Sequence, residues 1–231
     1  MRYLVAETTW KMTSLSRALS DSGTLITRCE DGEDLSEYHR IGEHDLVVLD
    51  AAVLRDHTAL QHLRDAKPTT PICLVARNAD PSQRAAWLLS GADAVLDEAE
   101  PLPEVVARIQ AVARRAHGVA QPVLSCGPIA LDLEARRVRR QDALLPLSPK
   151  LYEILEFLAL RPGRLASREQ LLTHVYGFEN EPAPRVFDVY MCNLRAHLAD
   201  IPHAPAIETV RGSGYRLNMN RAAGITGPLA A

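Results

Sequence analysis

Two stretches of the chain hold residues whose types and spacing suit chemistry. The first is "DLVVLDAAVL", residues 45–54, in which four apolar residues run straight into Asp50. A carboxylate at the end of a buried strand is either a reactive group that receives a phosphoryl or the remnant of such a site. The second is "RVFDVYMCNLRAHLAD" (185–200), followed closely by "IETVRGSGYRLNM" (207–219). Val186, Val189, Leu194 and Leu198 follow helical spacing. That reading sets Arg185, Tyr190, Asn193 and Arg195 on the side away from the apolar stripe. Arg and Asn suit phosphates and base edges. Gly-Ser-Gly joins two β runs into a hairpin, and a basic residue on it, Arg211, can reach a minor groove. No nucleophile–base pair, Gly-rich phosphate loop or metal-ligand cluster stands out, so an enzyme is not expected and no metal or cofactor is assigned.

The elements that must position these residues fall into two sets. The first half alternates short apolar runs ("YLVA", "TLITRCE", "DLVVLD", "PICLVA", "DAVLD") with helical patterns. Five strands, each followed by a helix, predict a doubly wound parallel α/β sheet, with its functional crevice beyond the strand C-termini. The second half predicts short strands and three helices before the hairpin, a winged helix-turn-helix. Ser148 with Pro149 opens the first of these helices, and Ser167 with Gln170 forms a capping box for the second. The expected division is 1–117 for the first domain, 118–127 for a linker, 128–219 for the winged helix and 220–231 for a disordered tail.

Length and composition agree with this division. At 231 residues the chain suits two domains. No apolar run reaches the ~18 residues that span a bilayer, so no membrane partner is expected. Cys29, Cys73, Cys126 and Cys192 are widely spaced without a C-x-x-C pair, which fits a reducing cytoplasm. Residues 1–118 carry 13 Lys+Arg and 18 Asp+Glu, a net of −5, against 13 and 11, a net of +2, for the remainder. The more basic half holds the predicted DNA-facing helix.

At these residues the sequence resembles the OmpR/PhoB-type response regulators, a phosphoacceptor receiver joined to a winged helix. The resemblance covers roughly residues 1–219. "IETVRGSGYRL" matches the family's wing, "RVFDVYMCNLRAHL" its recognition helix and "LSPKLYEILEFLALRPGRLASREQLL" the two helices before it. "VYGFENEPAPRVFDVYMCNLR" looks closest to the alphaproteobacterial cell-cycle regulator subgroup. The resemblance implies that Arg211 enters the minor groove, that Thr209 and Tyr215 contact phosphate beside it, and that Arg185, Tyr190, Asn193 and Arg195 face the major groove of double-stranded DNA.

In the receiver the resemblance implies a pocket that has lost its working parts. Glu7 remains, but Thr8 replaces the second acid that helps to hold Mg²⁺. Asp50 stands at the phosphoacceptor position. Val75 replaces the hydroxyl that bonds the phosphoryl group, Val95 the switch aromatic and Glu98 the lysine that neutralises the new charge. A phosphoryl group brings about −2 of charge. A like charge ~4 Å away costs about 4 kcal/mol at an effective dielectric near 20. The favoured reading is therefore an atypical receiver acting without phosphorylation. The alternatives are a conventional phospho-switched regulator with Asp50 as acceptor, a cation site at Glu7, Asp50 and Glu98, and a receiver serving chiefly as a protein-interaction module. Arg84, Asp93, Glu104, Arg108 and Arg115 match the family's dimer face, so a constitutive homodimer is expected. A regulatory protein or ligand is a further expected partner of the receiver.

Overall fold

Short strands that are apolar on both sides demand cover on both faces of a sheet. The computed structural model describes residues 1–30, 34–54, 57–141, 143–178 and 182–219; the tail over 220–231, expected to be disordered, lies outside them. Two compact units divide the chain: Met1–Pro122 with Leu172–Glu181, and Val123–Leu171 with Pro182–Ala231.

The first unit alternates strand and helix: β1 (Arg2–Ala6), α1 (Trp10–Asp21), β2 (Leu25–Cys29), α2 (Leu35–Ile41), β3 (Leu46–Asp50), α3 (His57–Ala66), β4 (Ile72–Ala76), α4 (Pro81–Leu89), β5 (Ala94–Asp97) and α5 (Leu102–Ala116). The five strands pair in parallel in the order β2-β1-β3-β4-β5, as the sequence predicts. Leu4, Val47, Leu49, Ile72 and Leu74 are fully buried with Leu60 of α3. Each contributes roughly 2 kcal/mol by leaving water. The strand order reverses between β1 and β3, so their C-terminal ends lie side by side, and this is where a parallel sheet leaves a crevice. Helix entry is fixed locally. Thr9 Oγ1 accepts from Met12 N at 3.3 Å, and Asp80 Oδ1 accepts from Gln83 N at 2.9 Å ahead of Pro81.

The second unit opens with an antiparallel sheet of β6 (Val123–Cys126), β7 (Ile129–Asp132), β8 (Arg137–Arg140) and β9 (Ala143–Leu145). The linker expected over 118–127 thus contains a strand. Gly127, at φ +62°, turns the chain so that β6 pairs back onto β7. Next along the chain come α6 (Pro149–Ala159), α7 (Arg168–Tyr176), which from Leu172 on is counted with the first unit, α8 (Val186–Ala199) and a hairpin of β10 (Ala206–Val210) and β11 (Gly214–Asn218). The capping box forms in both directions: Gln170 N donates to Ser167 Oγ at 3.1 Å, and Ser167 N donates to Gln170 Oε1 at 3.0 Å.

The apolar stripe of α8 is Phe187, Met191, Leu194 and Leu198, not the valines. At 3.6 residues per turn, position 189 sits about 140° from position 194, so the two cannot share a face. Val189 is accordingly 58% exposed.

Two buried histidines load the first unit with a pH dependence. His39 of α2 and His44 lie beside Lys67, whose Nζ donates to the carbonyl of Gly42. Gly42 leaves room for the His44 ring; a Cβ there would stand 2.1 Å from its Cε1. Burial, then the Lys67 charge, lowers the pKa of His39 to about 4 and that of His44 to about 3. Both therefore fold as neutral rings. Their stabilising effect is complete above the ordinary value near 6.5 and is lost as pH falls from there toward about 4 and 3. Thermal melts followed by circular dichroism should show the first unit weakening from pH 6.5 to 4, and His39→Leu should flatten that slope. An unchanged slope in the variant would count against the assignment.

Candidate functional site

The crevice at the carboxyl ends of the strands is built from Glu7 after β1, Asp50 closing β3, Val75 on β4 and Glu98 after β5. Asp50 pairs in register with Val75, which is buried. A cavity of about 510 Å³ opens beside Asp50, lined among others by Thr9, Arg77, Trp87 and Glu98. Thr8 is exposed. Val95, half-buried, packs against the hydrophobic core.

The carboxylates of this crevice are met by groups of the chain itself. Glu7 Oε1 takes Arg28 Nε at 2.9 Å. Lys11 Nζ donates to the Glu98 carbonyl at 2.9 Å and lies 3.5 Å from its Oε1, while Arg77 Nε stands 3.9 Å from Oε2. Asp50 Oδ1 accepts from Ala52 N at 2.8 Å, which starts a short turn of 3₁₀ helix over Ala51–Val53. Lys11, Arg28 and Arg77 escape a reading of the sequence because they approach from α1, β2 and the loop after β4. No short spacing joins them to the acids they meet. Among the described residues no group of three or more His, Cys, Asp or Glu side chains is placed to hold a metal ion.

The residues expected on a dimer face are mostly engaged within the unit. Asp93 Oδ2 accepts from Arg64 at 2.6 Å and from Ile72 N at 2.8 Å. Arg84 donates to the Val95 carbonyl at 2.9 Å and lies 3.5 Å from Asp97. Glu104 and Arg108 pair one helical turn apart at 2.5 Å on α5. Arg115 is exposed near the end of the same helix.

In the second unit the hairpin and α8 are joined through side chains. Asp188, in the first turn of α8, accepts from the Tyr215 hydroxyl and from Arg168 at 2.8 Å; the Arg168 guanidinium also lies 5.1 Å from the Tyr215 ring centroid. These bonds hold the Asp188 carboxyl below the usual carboxylate range, the tyrosine first and the arginine second. Tyr215 is 1% exposed. Burial, and then its bond to Asp188, raises its pKa. Arg195 donates through Nε to the Ile207 carbonyl at 2.9 Å and through Nη2 to Thr209 Oγ1 at 2.7 Å. Tyr190 is half-buried, with its ring edge-on to Phe187 at 5.8 Å. So Arg195, Thr209 and Tyr215 tie the hairpin to the helix, whereas Arg185, Asn193 and Arg211 are presented to solvent.

Asp188 and Arg168 carry no distinctive sequence signal, since an acid in a first helical turn is ordinary dipole chemistry. The turn between the strands depends on Gly214, where a Cβ would meet the Ala166 carbonyl oxygen at 2.0 Å. There Ala166 and Tyr215 exchange backbone hydrogen bonds of 2.7 and 2.9 Å.

Residues 141–217 match the family described as "Transcriptional regulatory protein, C terminal". The chain is 34% identical over 202 residues to the cell cycle transcriptional regulator CtrA of Caulobacter vibrioides, covering 86% of this chain and 87% of that one. It is 34% identical to the cell cycle response regulator CtrA of Brucella anthropi, over 81% of each. It also aligns with the response regulator DrrB of Thermotoga maritima, an OmpR/PhoB homologue, at 23% identity and a TM-score of 0.43 over 94% of this chain and 98% of that one.

Two kinds of substitution should separate anchoring from contact. Tyr215→Phe removes the bond to Asp188 and should lower the melting temperature of the second unit by a few degrees. Arg211→Ala should leave that temperature unchanged and weaken binding to cognate duplex about tenfold, read by fluorescence anisotropy. Full binding by the Arg211 variant would remove it from the interface.

Proposed function

This chain belongs to the OmpR/PhoB-type response regulators, DNA-binding regulators of transcription, and we propose that it works as a constitutive homodimer without phosphorylation of Asp50. The observation that carries the reading is the charge arrangement of the crevice. Glu98 occupies the place of a cation, and the nearby cations are engaged with Glu98 and Glu7. Phosphoryl transfer relies on positioned positive charge to neutralise oxygens. A phosphoryl group on Asp50 would enter beside Glu98 and Val75, which offers no hydroxyl. The reading supplies no chemical step and places the work in DNA binding.

Arg185, Tyr190, Asn193 and Arg195 are assigned to the major-groove side, Arg211 to the minor groove, and Thr209 and Tyr215 to the backbone beside it. Within that set Arg195, Thr209 and Tyr215 act through the geometry they impose on α8 and the hairpin. Arg84, Asp93, Glu104, Arg108 and Arg115 are assigned to the two-fold interface, with Arg115 the most available for a contact between copies. A two-fold dimer matches a repeated or palindromic half-site. No described helix is long and apolar enough to cross a membrane, and cysteine usage favours the cytoplasm.

Incubation with acetyl phosphate and Mg²⁺, followed by intact-mass measurement, should give no stable adduct. Sedimentation should give a dimer with or without the donor, and genome-wide occupancy of Asp50→Ala should match that of the unaltered chain. Stable phosphorylation at Asp50 together with a change in occupancy would overturn the proposal.

A further inference from the structure

The face that α8 turns away from the core is apolar at its centre. Phe187, Met191, Leu194 and Leu198 are buried on one side of the helix. At about 100° per residue, position 189 stands about 190° round the helix from the middle of that stripe. Arg185 and Asn193, one turn before and one turn after, lie about 40° to either side of position 189. Val189 therefore marks the apex of the outward face, and it is 58% exposed. Cys192 and Ala196 are exposed on the same face.

Most polar side chains around this apex are committed elsewhere. Asp188 takes Tyr215 and Arg168, Arg195 is bonded to Ile207 and Thr209, and the Tyr190 ring packs on Phe187. Asn193 is exposed, with no hydrogen-bond partner among the described residues. On the floor of the major groove the apolar group is the 5-methyl of thymine, and the atoms that a carboxamide bridges are N6 and N7 of adenine. An apolar apex suits the first, and a free carboxamide beside it suits the second. The small side chains of Cys192 and Ala196 do not hold the helix off the groove floor.

We propose that Val189 and Asn193 are the specificity-determining residues of α8. Val189 packs on a thymine 5-methyl, while Asn193 donates to N7 and accepts from N6 of an adenine. Four residues of helix rise about 6 Å, and bases along one strand are about 3.4 Å apart. The thymine and the adenine therefore fall within about two base steps of each other in a half-site. The inference rests on the preceding reading only for the placement of α8 in the major groove, and asks nothing of Asp50 or of dimerisation.

Selection from random duplexes by the full-length chain should enrich a half-site with a thymine and an adenine at that spacing. In anisotropy titrations of the selected duplex, deoxyuridine in place of the thymine removes only the methyl. It should weaken binding about fourfold, the worth of one buried methyl. 7-Deazaadenine in place of the adenine removes N7 and should weaken binding about fivefold, the worth of one hydrogen bond. Val189→Ala should lose the uracil penalty and keep the deaza penalty, and Asn193→Ala should do the reverse. Both side chains are exposed, so both variants should melt with the unsubstituted chain. Absence of either penalty, or a penalty that its own variant retains, would overturn the proposal, and tight binding to the selected duplex would leave the DNA-binding reading standing. Enrichment of no duplex would overturn both.

Discussion

Parallel pairing is the constraint on which the first unit depends. When all strands run one way, all their carboxyl ends emerge along one edge, and whatever residues occupy those ends must coexist there. Glu7, Asp50 and Glu98 share that edge here. Three carboxylates together in a partly dry crevice repel one another, so they persist only with compensation. Arg28 and Arg77 with Lys11 supply it from flanking elements. Glu98 is thus one part of a charge arrangement in which Lys11 and Arg77 also take part.

The second unit is governed by a single acid. Asp188 gathers Tyr215 and Arg168, and Arg195 fixes the other end of the same helix to β10. Side chains that the family resemblance assigns to DNA are therefore used first to set the angle between helix and hairpin. Geometry held in this way costs little on association, because the helix and hairpin that carry the solvent-facing groups are already fixed to one another.

Much of the architecture was legible in the residues. Alternating apolar runs and helical patterns specify the parallel sheet, and Ser167 with Gln170 specifies a helix start, because both signals are local. The phase of α8 is ambiguous in the sequence because Val186 and Val189 resemble a stripe when counted in steps of three. Phe187 and Met191 bury more surface and decide the face. The strand at Val123–Cys126 was hidden in a segment with Gly and Pro, since its identity comes from its partner β7 and not from its own composition. At the candidate site, the acids could be placed by strand ends. Their cations could not, because pairs such as Lys11–Glu98 and Arg28–Glu7 join residues distant in sequence.

A two-stranded hairpin has two open sides, and either can pair with a strand from another molecule. In this hairpin the β11 side is paired with backbone, and the β10 side is met at one carbonyl by a side chain. Ala166 and Gly163 bond the outward backbone of β11 at Tyr215 and Leu217, and Arg195 takes the outward carbonyl of Ile207 on β10. The arginine that ties the helix to the hairpin therefore also covers an outward backbone position that an added strand would need.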